Sequence, residues 1–181
     1  MVDIANREHV FFDIDTLSKK QNAAIISIGA VKFSTDKGIT SEFKVNITPK
    51  SNLILGLHID KETVEWWNKQ PKEISALWKV NPVDIGVALS MFEDFIGESK
   101  TNLVWSKSAW YNAIMRNAKY EYFNVWNTLD SYGGYKWYQE MDFNTIMTVM
   151  GVMKPKGDTS CPMKDAKIHA ESFIELFKEI C

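Results

Sequence analysis

Cysteine is scarce: two in 181 residues, Cys161 and Cys181. Two thiols give neither a disulfide framework nor a zinc cluster, and an intracellular, cytoplasmic setting fits this usage best. Long apolar runs are also missing. The longest, such as Ala23 to Val31, breaks off too early to span a bilayer, so no membrane role is expected. The opening residues Met1-Val2-Asp3-Ile4, with Glu8 close behind, hold no apolar secretory core. Nor is there an excess of either charge, since 21 basic and 23 acidic side chains leave a formal -2. That balance excludes a protein that holds nucleic acid by bulk electrostatics and leaves room only for a local basic groove. No linker, repeat or low-complexity stretch divides the chain, whose length predicts one domain over residues 1–181.

What is present is a folding composition, 45% hydrophobic and 24% charged. Aromatic residues stand at 13% with seven tryptophans, more than a core of this size needs, so some are available to stack on a ligand. Three strands are expected in succession: His9 to Ile14, Ala24 to Phe33, and Glu42 to Ile47, where Phe43, Val45 and Ile47 alternate with polar residues. Ser18 to Asn22 and Asp36-Lys37-Gly38 supply the turns of an antiparallel meander. The period then changes from two to about 3.6. Asp60 caps a helix through Val64, Trp67 and Asn68, and Pro71 stands at the first position of the next. Pro82 and Asp84 open a third, with Val83, Val87, Ala88, Met91, Phe92 and Phe95 as its apolar stripe. Asn102 to Trp105 reads as a buried strand and Trp110 to Tyr120 as a helix, while Glu121 to Tyr138 reads mostly as loop. Asp142 caps a helix that Gly151 stops, and Lys164 to Ile180 is the last helix. This order predicts an α/β layer arrangement with a mixed sheet.

The sharpest local feature is Phe11-Phe12-Asp13-Ile14-Asp15-Thr16. Strand alternation sets Asp13 and Asp15 on one face, about 7 Å apart, with Phe12 and Ile14 buried on the other. Two carboxylates so placed repel each other unless a hard divalent cation such as Mg²⁺ or Mn²⁺ lies between them, or unless both sit solvated at the strand's end.

Asp13-Ile14-Asp15-Thr16 followed by Ala23 to Val31 resembles the opening of the DEDD-type 3′-5′ exonucleases. Glu62-Thr63-Val64-Glu65-Trp66-Trp67-Asn68-Lys69-Gln70-Pro71 is similar to a segment of that family's ribonuclease T-like branch, which includes phage exonucleases, and Asp165-Ala166-Lys167-Ile168-His169-Ala170 to its last motif. The resemblance runs in order from Phe11 to Phe177. It implies a ribonuclease H-like fold, a divalent metal, Mg²⁺ or Mn²⁺, and single-stranded nucleic acid as partner. It also leaves a homodimer open and, for a phage-encoded chain, implies the host cytoplasm.

The family's site is four acids and one histidine. By resemblance Asp13 is the first acid, Asp15 a shortened form of the second, and Asp165 the last, and these three are the ligand set of one divalent ion. The middle acid falls on Tyr111 within Val104-Trp105-Ser106-Lys107-Ser108-Ala109-Trp110-Tyr111-Asn112, or on Asn112 if the gap moves. The general-base histidine falls on Ser160, whose hydroxyl does not accept a proton near neutral pH as imidazole does. Losing a general base costs about 10² to 10⁴ in rate. The expectation is therefore an impaired or dead nuclease acting as a nucleic-acid- or protein-binding module, with an active metal-dependent 3′-5′ exonuclease as the alternative. His169, one turn beyond Asp165, is either a displaced base or a structural or exposed histidine. Thr16, Trp66, Trp67, Trp110 and Tyr111 are the candidate substrate contacts. Adjacent helical residues face about 100° apart, so one of the two tryptophans is expected in the core and the other on the groove side, with stacking on a base or filling the helix–sheet interface as the two readings of the pair. Lys19, Lys20, Lys107 and Arg116 flank the motifs as phosphate contacts or as scattered surface charges.

Overall fold

The computed structural model describes residues 7–97, 102–125, 135–153, 155–157 and 161–180. The β-branched and aromatic residues of the first third form β1 (His9–Thr16), β2 (Ile25–Ser34) and β3 (Gly38–Asn46), an antiparallel meander. β1 continues past Ile14 to Thr16 because Asp15 and Thr16 still pair with Ser27 and Ile25, across a register shift. Pro49 then starts a short helix, α1 (Pro49–Ile54), that the sequence pattern did not announce. α2 (Lys61–Lys69) begins where Asp60 accepts a hydrogen bond from the Glu62 backbone N–H. Pro71 stands just ahead of α3 (Lys72–Ser75) rather than inside it.

α4 (Ile85–Ile96) buries Ile85, Ala88, Leu89, Phe92 and Ile96. This corrects the expected stripe: Val87 and Met91 are exposed, and Val83 pairs with Ile47 ahead of the helix. The buried face is set by the first helical residue, Ile85, and repeats from there at three- and four-residue steps. β4 (Leu103–Ser106) leads into α5 (Ala109–Val125), which outruns its expected end because Tyr122 still packs on the core. Of the expected loop Glu121 to Tyr138, residues 126–134 lie outside the described residues. β5 (Glu140–Asp142), α6 (Phe143–Val149) and α7 (Pro162–Ile180) complete the order, and Gly151, at φ 66°, ends α6.

The sheet order is β3-β2-β1-β4-β5, with β1, β4 and β5 parallel to one another. Period two along β1 divides the core. Phe12 and Ile14 face a cluster with α2, α4 and α5, whereas Phe11 faces one with Phe143 and Met147 of α6 and Ala166, Ala170 and Phe173 of α7. The sheet is thus covered on both faces.

Candidate functional site

β1, β4 and β5 run in the same direction, so their carboxyl ends open at one edge of the sheet. Phe12 is paired with Ser106, and the next residues along, Asp13 and Lys107, leave that edge as neighbours. Across β1, Asp13 stands opposite Gly29 of β2. A Cβ at Gly29 would overlap the backbone of Pro162 and Met163. Glycine there lets the start of α7 rest on the sheet and brings Asp165, in its first turn, over β1. Asp13 and Asp165 are buried and Asp15 is half-buried.

Asp13 and Asp15 both sense carboxylate neighbours. Burial, then Asp165 and Asp15, push the Asp13 carboxyl well above the usual carboxylate range against the pull of Lys107. Burial raises Asp15 to about 7, with Lys44 pulling it down and Asp165 pushing it up. Lys107 Nζ donates to Asp165 Oδ2 at 3.2 Å. The other oxygen, Asp165 Oδ1, is buried without a hydrogen-bond partner, as is Asp13 Oδ1. A side chain at Gly157 would overlap Asp165 Oδ1, so the chain closes over that oxygen by having none. Two buried acceptors without donors, one of them on an acid whose carboxylate neighbours raise its pKa, are a donor set that a hard oxygen-seeking cation satisfies. The donors therefore fit a divalent ion in kind. As they stand, no three His, Cys, Asp or Glu side chains among the described residues are grouped closely enough to hold one.

Tyr111, in the first turns of α5, is within electrostatic reach of the same acids. Its hydroxyl is pushed up by burial, then by Asp13, Asp165 and Asp15. Asn112 turns away, is buried, and donates from its amide to the Met141 carbonyl at 3.4 Å. Of the two positions open for the middle acid, Tyr111 is the one beside the cluster. Ser160 lies outside the described residues, as do Asp158 and Cys181. His169 is buried, its Nδ1 donating to the Asp165 carbonyl at 2.7 Å while its ring lies against Phe11 and Phe143. Burial holds its pKa below the ordinary histidine value, and the arrangement is that of a core histidine. His9 is likewise buried, among Phe33, Trp105 and Phe173, and accepts from Trp105 Nε1 at 3.2 Å.

Beside Asp15 a cleft of about 620 Å³ opens between the end of β1 and α2, lined by Asp15, Thr16, Lys19, Trp66 and Lys69 among others. The adjacent tryptophans divide the work. Trp67 is the one that enters the core, as expected of one of the pair; its Nε1 donates to the Thr16 carbonyl at 2.9 Å, which corrects its place among the substrate contacts. Trp66 remains 47% exposed in the cleft, edge-on to Trp67. Trp110 is exposed as well. Two expected phosphate contacts have carboxylate partners instead, Lys107 with Asp165 and Arg116 with Glu140 at 3.3 Å, while Lys20 Nζ meets His58 Nε2 at 3.1 Å. The sequence reading missed the attachment of Lys107, the close approach of Gly157 and a second task of Asp142. Asp142 accepts from the backbone N–H of Thr145, capping α6, and also from that of Ala109 at the start of α5. The Lys107 and Asp142 contacts join segments distant in the chain and leave no local pattern, and the approach of Gly157 to Asp165 crosses a loop whose path the sequence does not announce.

Several solved structures share the fold. The nuclease domain of 3′hExo, a DEDDh family member bound to rAMP, is 12% identical, with 96% of this chain and 93% of that one covered and a TM-score of 0.56. Cell-death related nuclease 4 (CRN-4) is 12% identical over 95% of this chain and 64% of its own, with a TM-score of 0.56. E. coli exonuclease I, in complex with a 5cy-dA13 oligonucleotide, is 12% identical over 97% of this chain and 43% of its own, with a TM-score of 0.60. The chain thus spans less than two thirds of the length of the last two. These likenesses establish the ribonuclease H-like α/β fold with its mixed sheet. No curated protein matches the chain. The model of the Rv2179c-like 3′-5′ exoribonuclease domain matches residues 8–179, nearly the whole sequence, and the chain belongs to that family.

Proposed function

We propose that this chain is a single exonuclease-like domain that binds the 3′ end of single-stranded nucleic acid, RNA foremost, and hydrolyses it feebly or not at all. The preference for RNA follows the family's description. Asp13, Asp15 and Asp165 hold one divalent cation, Mg²⁺ or Mn²⁺, which when bound supplies charge to neutralise a phosphate and polarise its phosphorus. Thr16, Trp66 and Trp110 receive the terminal nucleotides, with Trp66 stacking on a base in the cleft beside Asp15. Trp67 fixes the Thr16 backbone from behind.

The observation that carries the impaired reading is Tyr111. A phenol whose ionisation is suppressed stands among the three acids where the resembling family has its middle carboxylate. It does not ligate a second ion as a carboxylate does, and near neutral pH it does not act as a base. The ribonuclease T-like order of motifs, with Ser160 at the base position, points the same way.

The test is incubation of single-stranded and 3′-recessed RNA and DNA with Mg²⁺ and then Mn²⁺, beside Asp13→Ala. Binding in a mobility shift without shortening is the expected result. Shortening from the 3′ end that vanishes in the control would establish the active exonuclease instead, and neither binding nor shortening would turn the search to a protein partner.

A further inference from the structure

Lys107 does not reach outward as a surface lysine does. It leaves the sheet beside Asp13 and its ammonium ends 3.2 Å from Asp165 Oδ2, with about a third of the side chain exposed against 4% for Asp165. The segment 155–157 closes over this pair: a Cβ on Gly157 would lie 3.2 Å from Lys107 Nζ and overlap Asp165 Oδ1. Three acids gathered at a strand edge need positive charge from somewhere, and Lys107 delivers one unit of it to the same carboxylate a metal ion would use. Its reach extends to Asp13, whose pKa it lowers. The acids left for an ion are then Asp13 and Asp15 with the remaining oxygen of Asp165.

We propose that Lys107 is a built-in counter-cation of the carboxylate cluster, standing in for a second divalent ion, so that the site takes a single divalent cation and takes it against competition from the ammonium. This rests on the reading of Asp13, Asp15 and Asp165 as a cation site. A fixed positive charge within a few ångströms of a divalent ion repels it and also occupies one of its ligands, so both effects weaken binding. Neutralising Lys107 frees Asp165 Oδ2 and removes the repulsion. Arginine keeps the charge and the pairing.

Calorimetric titration of Mn²⁺ into the chelator-stripped chain tests this with Lys107→Met, Lys107→Gln, Lys107→Arg and Asp13→Ala. Expected are one Mn²⁺ per wild-type chain, binding about tenfold or more tighter in the Met and Gln variants, near-wild-type affinity in the Arg variant, and loss of binding in Asp13→Ala. In chelator the Met and Gln variants melt below wild type, since the acids lose their counter-charge, and Mn²⁺ raises their melting temperature further than it raises that of wild type. Unchanged or weaker Mn²⁺ binding in both neutral variants, or two ions per wild-type chain, overturns the proposal and leaves the cation site itself intact provided Asp13→Ala abolishes binding. Absence of binding throughout overturns both.

Discussion

Asp15 carries its proton into the neutral range because burial denies the carboxylate water and Asp165 adds like charge, and Lys44 offsets only part of this. In the unfolded chain its pKa returns to the ordinary 3.8, against about 7 when folded. Between those values the folded chain holds a proton the unfolded chain has released, so stability falls as pH rises through the interval and levels off above it. His169 acts in the opposite sense below its ordinary 6.5, where the unfolded chain gains a proton that the buried ring resists. Asp13, held above its ordinary value by burial, adds to the fall, whereas His169 and, toward alkaline pH, Lys119, which burial lowers to about 8, oppose it, so the share of Asp15 is read as the difference between wild type and Asp15→Asn. In chelator the wild-type chain should lose about 1 kcal/mol more than Asp15→Asn between about pH 6 and 8, roughly 3 °C of melting temperature. A variant that kept the wild-type slope would show the proton to reside elsewhere, on Asp13 first. Saturating Mn²⁺ should reverse the slope in wild type, because metal and proton compete for the same oxygens.

Asp142 joins elements that no local pattern connects. One carboxylate oxygen receives the Thr145 N–H at 3.0 Å and the other the Ala109 N–H at 2.8 Å, so α6 and α5 both start on it. A helix cap contributes about 1 kcal/mol, so Asp142→Ala should cost roughly 2 kcal/mol and Asp60→Ala, which caps α2 alone, about half of that. Equal losses in denaturant melts would show that the Ala109 contact contributes nothing. Because α5 also positions Tyr111, Asp142→Ala should change Mn²⁺ affinity as well, whereas Asp60→Ala should not. The capping role of Asp142 was legible from its place before an apolar helical stripe, but its second partner lies 33 residues away. The same division runs through the fold. β1 and β2 showed in the sequence as short apolar runs rich in β-branched and aromatic residues and β3 through its alternation, and Asp13, Asp15 and Asp165 stood out because they sit in motifs. β5 is three half-buried residues with too little length for a period, and α1 is six residues started by a proline. The α4 stripe was displaced because apolar residues of Ile85–Ile96 lie on more than one face, and packing against the sheet selects Ile85, Ala88, Leu89, Phe92 and Ile96 over Val87 and Met91.

For the molecule as a whole, charge sets how nucleic acid is held. The net -2 gives no long-range attraction for phosphate, and at the site Lys107 and Arg116 are already matched to Asp165 and Glu140. That leaves Lys19 and Lys69 along the cleft for about two phosphates, with the exposed face of Trp66 between the cleft and solvent. Release of counterions from two phosphates of a single strand predicts a slope of log affinity against log salt of about -1.4, far shallower than that of a protein built on a basic surface. Stacking then has to provide most of the affinity, at about 1–3 kcal/mol for one aromatic side chain. Trp66→Ala should therefore weaken binding of a single-stranded oligonucleotide at least severalfold, leave the salt slope unchanged and leave the melting temperature within about a degree, since exposed substitutions seldom move stability. Trp67→Ala should do the reverse first. It empties a buried volume and strips the donor from the Thr16 carbonyl, costing about 3–5 kcal/mol of stability before any question of binding arises. Lys19→Ala should lower the slope by about 0.7 and affinity only modestly. A slope steeper than about -3 would mean that phosphates are held on another face of the protein, and the cleft beside Asp15 would lose its claim to the 3′ end.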